Sequence, residues 1–183
     1  MDSTRIVTDP DGNTDIWRAT DLEFLDFWER TTQLGELFRQ WRVTQSDGDA
    51  VPRTEDFNRQ VSRTEWRNGQ CAAHYLPDLF HADAEPSAPA DFLITAPSTG
   101  VKRKHLSGLF RPILRDALFS DLMLCLGTRA PLYQQIYQKV SGDTRCYVRL
   151  LLPTADDQGN IRRIYGISRP LYAEQELVHW SAS

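Results

Sequence analysis

The chain has 183 residues, a formal net charge of -4, three cysteines and no apolar run long enough to span a bilayer. That length lets one domain bury a core without metal or disulfide staples, and the acidic balance argues against a dedicated nucleic-acid binder. The cysteines (Cys71, Cys125, Cys146) are odd in number and far apart, and the start Met-Asp-Ser-Thr-Arg lacks the apolar core of a secretion signal, so a reduced, cytoplasmic setting is expected. Residues 1–19 are mostly polar, hold Asp-Pro-Asp-Gly-Asn, and are expected to form a flexible arm. Thr20-Asp-Leu-Glu23 has capping-box spacing and opens a helical stretch over 20–44. Phe24, Phe27, Trp28, Leu34, Phe38 and Trp41 fall largely on one side of it, and Gly35 weakens its middle enough to allow two helices. An amphipathic helix this rich in aromatics must cover its own sheet or a partner's. Phe24, Phe27, Trp28, Leu34 and Phe38 are therefore the candidate homodimer surface.

Gln45–Asp49 reads as a loop, and Val51-Pro-Arg-Thr-Glu-Asp-Phe57 resumes order. Residues 58–73 are polar and patchy, with a short helix expected around Trp66 ending near Gly69. A short strand is expected after Pro77, within Tyr75–Ala82, and a second over Asp91–Ala96, ended by Pro97. Val101–His105 follows as a basic loop. From Ser107 to Leu126 the period becomes helical, with Phe110, Leu114, Ala117, Leu118, Leu122, Cys125 and Leu126 on one face; Pro112 suits a helix start and Gly127 a stop. The remainder reads as three strands, Pro131–Val140, Thr144–Pro153 and Ile161–Ser168, separated by polar turns with Gly beside Asp or Asn, the pattern of an antiparallel meander.

In the middle strand of that meander Cys146, Val148, Leu150 and Leu152 alternate with Tyr147 and Arg149, and the apolar set is expected to face Leu114, Leu118 and Leu122. A three-residue loop, Ser141 to Asp143, pairs Ile136 with Val148 and puts the aliphatics inside. A two-residue loop puts Tyr133 and Tyr137 there instead and makes a cavity with polar handles. The candidate ligand pocket is Leu114, Leu118, Leu122, Ile136, Val148 and Leu150, and a filled core holding no ligand is its alternative.

Other chemistry is poorly supported. His74, His81, His105 and His179 form no pair at helical metal spacing, Cys71-x-x-His74 is a lone half-motif, and no metal or other cofactor is expected. Cys125 on an apolar face reads as an inert thiol. Lys102-Arg-Lys-His105 reads as a solvated loop, and Asp156-Asp157 as turn formers rather than paired catalytic carboxylates. No nucleophile or base beside an orienting group can be assembled, so no enzymatic activity is expected.

Several strings resemble a known family. Leu37-Phe-Arg-Gln-Trp41, Val51-Pro-Arg-Thr-Glu-Asp-Phe57, Tyr75-Leu-Pro-Asp78, Leu106-Ser-Gly108 and Leu150-Leu-Leu-Pro153 followed by Asp157-Gln-Gly159 are similar, in order and spacing, to the single-domain PAS-like proteins of alphaproteobacteria. The resemblance covers Leu37 to Ser168; where that family has Gly-Thr after the second strand, this chain has Ala96-Pro97-Ser98. It implies an α+β fold, a five-stranded antiparallel sheet with helices on one face. With it go a PAS-like domain over 45–168, a tail over 169–183, and an N-terminal helix that dimerises. The implied role is cytoplasmic signal transduction: a homodimeric sensory or adaptor module binding a downstream protein, with a small-molecule pocket between sheet and helices, and with neither nucleic acid nor membrane as partner. A metabolite-binding module without output, or an enzyme on a related α+β scaffold, are the other readings.

Overall fold

The computed structural model describes residues 3–8, 10, 12, 14–28, 32–45, 51–63, 80–84, 92–96, 101–108, 112–140 and 143–171. Their elements, in chain order, begin with β1 (Ser3–Thr8), β2 (Thr14–Thr20), α1 (Glu23–Trp28), α2 (Gln33–Val43) and α3 (Thr54–Arg63). Then come β3 (Phe80–Ala84), β4 (Phe92–Ala96), β5 (Val101–His105), a 3-10 turn (Leu106–Gly108), α4 (Pro112–Thr128), β6 (Leu132–Val140), β7 (Asp143–Ala155) and β8 (Ile161–Pro170). The fold class is α+β. All eight strands join one antiparallel sheet in the order β1-β2-β6-β7-β8-β3-β4-β5.

The expected meander is present as β6-β7-β8, and it takes the middle of the sheet. Its second turn is set by Asp156, whose carboxylate accepts the backbone N–H groups of Gln158 and Asn160 at 2.9 Å, while Gly159 takes φ +80. In the first turn Val140 pairs with Asp143, leaving two residues between them, so Ile136 stands opposite Tyr147 rather than Val148. This one-residue difference decides the faces, because side chains alternate with period two. Tyr133 and Tyr137 share a face with Cys146, Val148, Leu150 and Leu152. Ile136 lies on the other, with Gln134, Tyr147, Arg149 and Leu151.

The sheet is covered on both sides, not one. Along the register Leu152 pairs with Tyr165, and Phe57 of α3 stacks edge-on against Tyr165 at 4.9 Å, so α3 lies on the Val148/Leu150/Leu152 face. The Thr54 hydroxyl at the start of α3 bonds Thr154 at 2.9 Å and donates to the Ala155 carbonyl at 3.0 Å. α2 packs on α3, and its Trp41 Nε1 donates to the Pro153 carbonyl at 2.7 Å. α4 lies on the opposite face: Phe119 meets Phe92 of β4 at 6.0 Å, and Phe92 is carried by the register onto the Arg149 side. Burial on both faces is why β7 reads as an almost continuous apolar run, Leu150-Leu-Leu-Pro153.

Several expectations are corrected. Residues 3–20 are not an arm: β1 and β2 form a hairpin around Gly12 (φ +80) and extend the sheet past β6. The stretch over 20–44 does form two helices, α1 and α2, but Gly35 is not the break: it lies inside α2, where its N–H donates to the N-cap hydroxyl of Thr32. Val101–His105 is not a loop but β5, the edge strand beside β4. α4 runs past Gly127 to Thr128, and Arg129 takes the left-handed conformation (φ 56) after it. The five-stranded sheet is thus eight-stranded, and the short helix expected around Trp66 lies outside the described residues.

A buried ion pair between helix and sheet as candidate functional site

α4 is an apolar helix with one buried carboxylate. Asp121 lies one position before Leu122 and four before Cys125, inside the stripe that faces the sheet, and it is 4% exposed. A buried charge is tolerated only when paired and hydrogen-bonded. Its partner is Arg149 of β7, 5% exposed, whose Nη2 donates to Asp121 Oδ2 at 2.5 Å and to Gln134 Oε1 of β6 at 2.7 Å. Gln134 is the cross-strand neighbour of Arg149, so its amide reaches the guanidinium without distortion.

A second arginine reaches the same carboxylate from the sheet's end. Arg5 Nη2 of β1 lies 3.2 Å from Asp121 Oδ1, 3.4 Å from Oδ2 and 3.3 Å from the Ala117 carbonyl. Trp17 of β2 stands between the two cations, with the Arg149 and Arg5 guanidinium carbons 4.8 and 5.3 Å from its ring centre. Both contacts suit the negative face of an indole. Trp17, Ala117 and Ile136 close a small apolar cluster against Tyr147, and Gln138 Nε2 donates to Asp15 Oδ2 at 3.3 Å on the same face. Three N–H groups here are buried without an acceptor among the described residues: Arg149 Nε, Arg5 Nε and Trp17 Nε1. Native interiors rarely leave such donors unpaired, so their gathering around one ring marks the place as polar beyond what packing needs.

The expected pocket residues do not converge. Leu118, Leu122 and Ile136 are buried on the α4 side, whereas Val148 and Leu150 are buried on the opposite face of β7, and the Leu114 side chain lies outside the described set. The two-residue turn is the reason. The expected dimer surface is likewise divided: Leu34 and Phe38 are buried in the chain's own core, while Phe24 is 40% exposed. The side chains of Phe27 and Trp28 lie outside the described residues.

A shallow cleft of about 370 Å³ sits between the start of α3, the end of β3 and the β7–β8 turn. Its three arginines are each paired: Arg163 with Asp83 at 2.6 Å, Arg162 with Asp156 at 3.1 Å and Arg53 with Asp157 at 3.4 Å. A cleft whose cations are already neutralised is a weak anion receptor. Burial pushes the Cys125 thiol up to about 12, with Asp121 adding to it, and burial also raises Cys146; neither is an activated nucleophile. His105 is exposed, and His74, His179 and Cys71 lie outside the described residues. Among the described residues no three His, Cys, Asp or Glu side chains could hold a metal ion, and no helix is long and apolar enough to cross a membrane.

The sequence carried signals for this site that periodicity alone ignores. A carboxylate inside an apolar stripe and an arginine inside an apolar strand each demand a partner. Comparison of the chain with family models, with curated proteins and with solved structures returns no match, so what it does has to be argued from this geometry.

Proposed function

We propose that the chain is a PAS-like sensory or adaptor module that acts through protein–protein interaction, with α4 as its moving part. The observation that carries the reading is the fastening of α4. A helix with an apolar face is attached to its sheet through a buried carboxylate shared by two arginines from two different strands. Buried ion pairs contribute little net stability against apolar packing, yet they specify one arrangement sharply. In this reading α4 leaves that one specified arrangement when the pair is broken, which supplies the bistable element a signalling domain needs.

The strand arrangement supports the same reading. The early pair β3–β4 docks on β8, so β4-β3-β8-β7-β6 is a contiguous five-stranded block within the larger sheet. The apolar side chains that face outward on the described helices include Met123 and Leu124 of α4, 40% and 48% exposed, and they are the surface proposed for a partner or second copy. A metabolite-binding module is the second reading, favoured by the unpaired donors around Trp17.

Native-state hydrogen exchange tests the proposal. Amides of residues 117–126 should exchange through a sub-global opening well ahead of those in β7 and β8. If α4 and β7 exchange only together, by global unfolding, the module has no moving part there and the reading fails.

A further inference from the structure

The geometry points to a receptor for small organic carboxylates at the Arg5–Trp17–Arg149 cluster, in which Asp121 is the resident, intramolecular occupant. The inference rests on the sensory reading above and names its ligand class.

Arg149 and Arg5 come from strands separated in the sheet by β2 and β6, and they converge on one carboxylate group. Fork-shaped guanidinium groups recognise a planar carboxylate through parallel N–H donors. Here the recognition is incomplete. Arg149 uses Nη2 for both Asp121 and Gln134 and leaves its Nε buried without an acceptor among the described residues. Among the same described residues Arg5 likewise uses Nη2 and leaves Nε without an acceptor, and Trp17 Nε1 adds a third buried donor beside them. Asp121, tethered to the α4 backbone, leaves both forks half used. A free carboxylate, especially one with a second carboxyl group or a flat apolar body to lie on the indole, is not so tethered.

Arg5 gives the route in. Its side chain is 36% exposed, whereas those of Arg149 and Asp121 are each 6% exposed. An acid arriving at the β1 edge meets Arg5 first, then replaces Asp121 on Arg149. Loss of that contact releases α4 at its centre, which is the output step that the sensory reading requires. A bound acid is thus the signal and Asp121 its competitor. Asp15 lies on the same sheet face, where its carboxyl accepts from Gln138.

The full chain is titrated with sodium acetate, succinate and benzoate against sodium chloride and sodium sulfate at equal ionic strength, by calorimetry and by thermal melting. Asp121→Ala removes the competitor, so one of the three acids should bind it at least about tenfold more tightly than wild type and raise its melting temperature. Arg149→Met and Arg5→Gln should each abolish that gain. In wild type the acid that binds should speed hydrogen exchange over residues 117–126 and leave β7 and β8 unchanged. Should Asp121→Ala fail to fold, the wild-type exchange arm decides alone. Carboxylates acting no more strongly than chloride or sulfate, so that the donors meet only solvent or an adventitious ion, overturn the inference, as does binding that leaves α4 exchange unaltered. If α4 opens ahead of the sheet without any carboxylate effect, the ligand class is lost while the sensory reading stands.

Discussion

The ion pair between α4 and β7 makes an asymmetric prediction. Asp121→Asn removes the one carboxylate that contacts Arg149 among the described residues, and leaves that guanidinium, whose side chain is 6% exposed, with Gln134 Oε1 and the face of Trp17. Removing one partner of a buried pair costs about 3–5 kcal/mol, because the other charge stays buried uncompensated. Arg149→Met differs. Asp121 then keeps Arg5 at 3.2 Å, and that arginine is one-third exposed, so the remaining pair is partly screened but present. Its cost should be about 2 kcal/mol, the loss of the bonds to Asp121 and Gln134 rather than the stranding of a charge. Replacing both with apolar residues, Asp121→Leu with Arg149→Met, strands no buried charge: Arg5 can turn to solvent, and only the buried Gln134 amide oxygen loses its donor, so the double variant should lie within about 1–3 kcal/mol of wild type. Urea unfolding followed by circular dichroism measures all three, with the slope checked for constancy. Equal costs for the two single changes, or a double variant as unstable as their sum, would refute the claim that α4 is held by a shared, desolvated pair.

Two further outcomes follow from local geometry. Cys125 has its folded pKa raised to about 12 by burial, above its value in the unfolded chain, so the stability it lends is complete below about pH 9 and is lost as pH rises toward 12, at about 1.4 kcal/mol per pH unit. Comparing alkaline unfolding of wild type with Cys125→Ala isolates that slope, and parallel curves would mean that the thiol is not buried as described. Gly159 and Gly127 should respond oppositely to alanine although a Cβ at either meets nothing within 4 Å. Gly159→Ala strains a residue at φ +80 and should cost about 1 kcal/mol, whereas Gly127→Ala, inside the last turn of α4, should stabilise by about 0.5 kcal/mol. Paired thermal melts that move in the same direction would contradict the turn assignment or the helix boundary.

The meander and α4 were legible because each is specified locally. Asp156, Gly159 and Asn160 make a turn from their own side chains and backbone freedom, and Pro112 followed by an apolar run starts a helix wherever it sits. The β1–β2 hairpin is not legible in the sequence although Asp11-Gly12 is a hairpin signal, because Ser3-Thr-Arg-Ile-Val-Thr8 has too few apolar residues to announce a buried face. Only its place beside β6, where Asp15 and Trp17 are buried, makes it a strand pair. The basic string of β5 is another such case, read as loop by composition and made a strand by its neighbour β4.

The residues by themselves determined which segments are strands and helices in the last third of the chain, since backbone preference and turn chemistry act over a few positions. Which side of the sheet α4 covers was decided by tertiary structure alone. β7 carries apolar side chains on both faces, Leu150 and Leu152 on one and Leu151 on the other, so alternation has no preferred direction there. The choice fell to the two-residue turn before Asp143 and to a carboxylate and a guanidinium, 28 positions apart, that could be taken out of water only together.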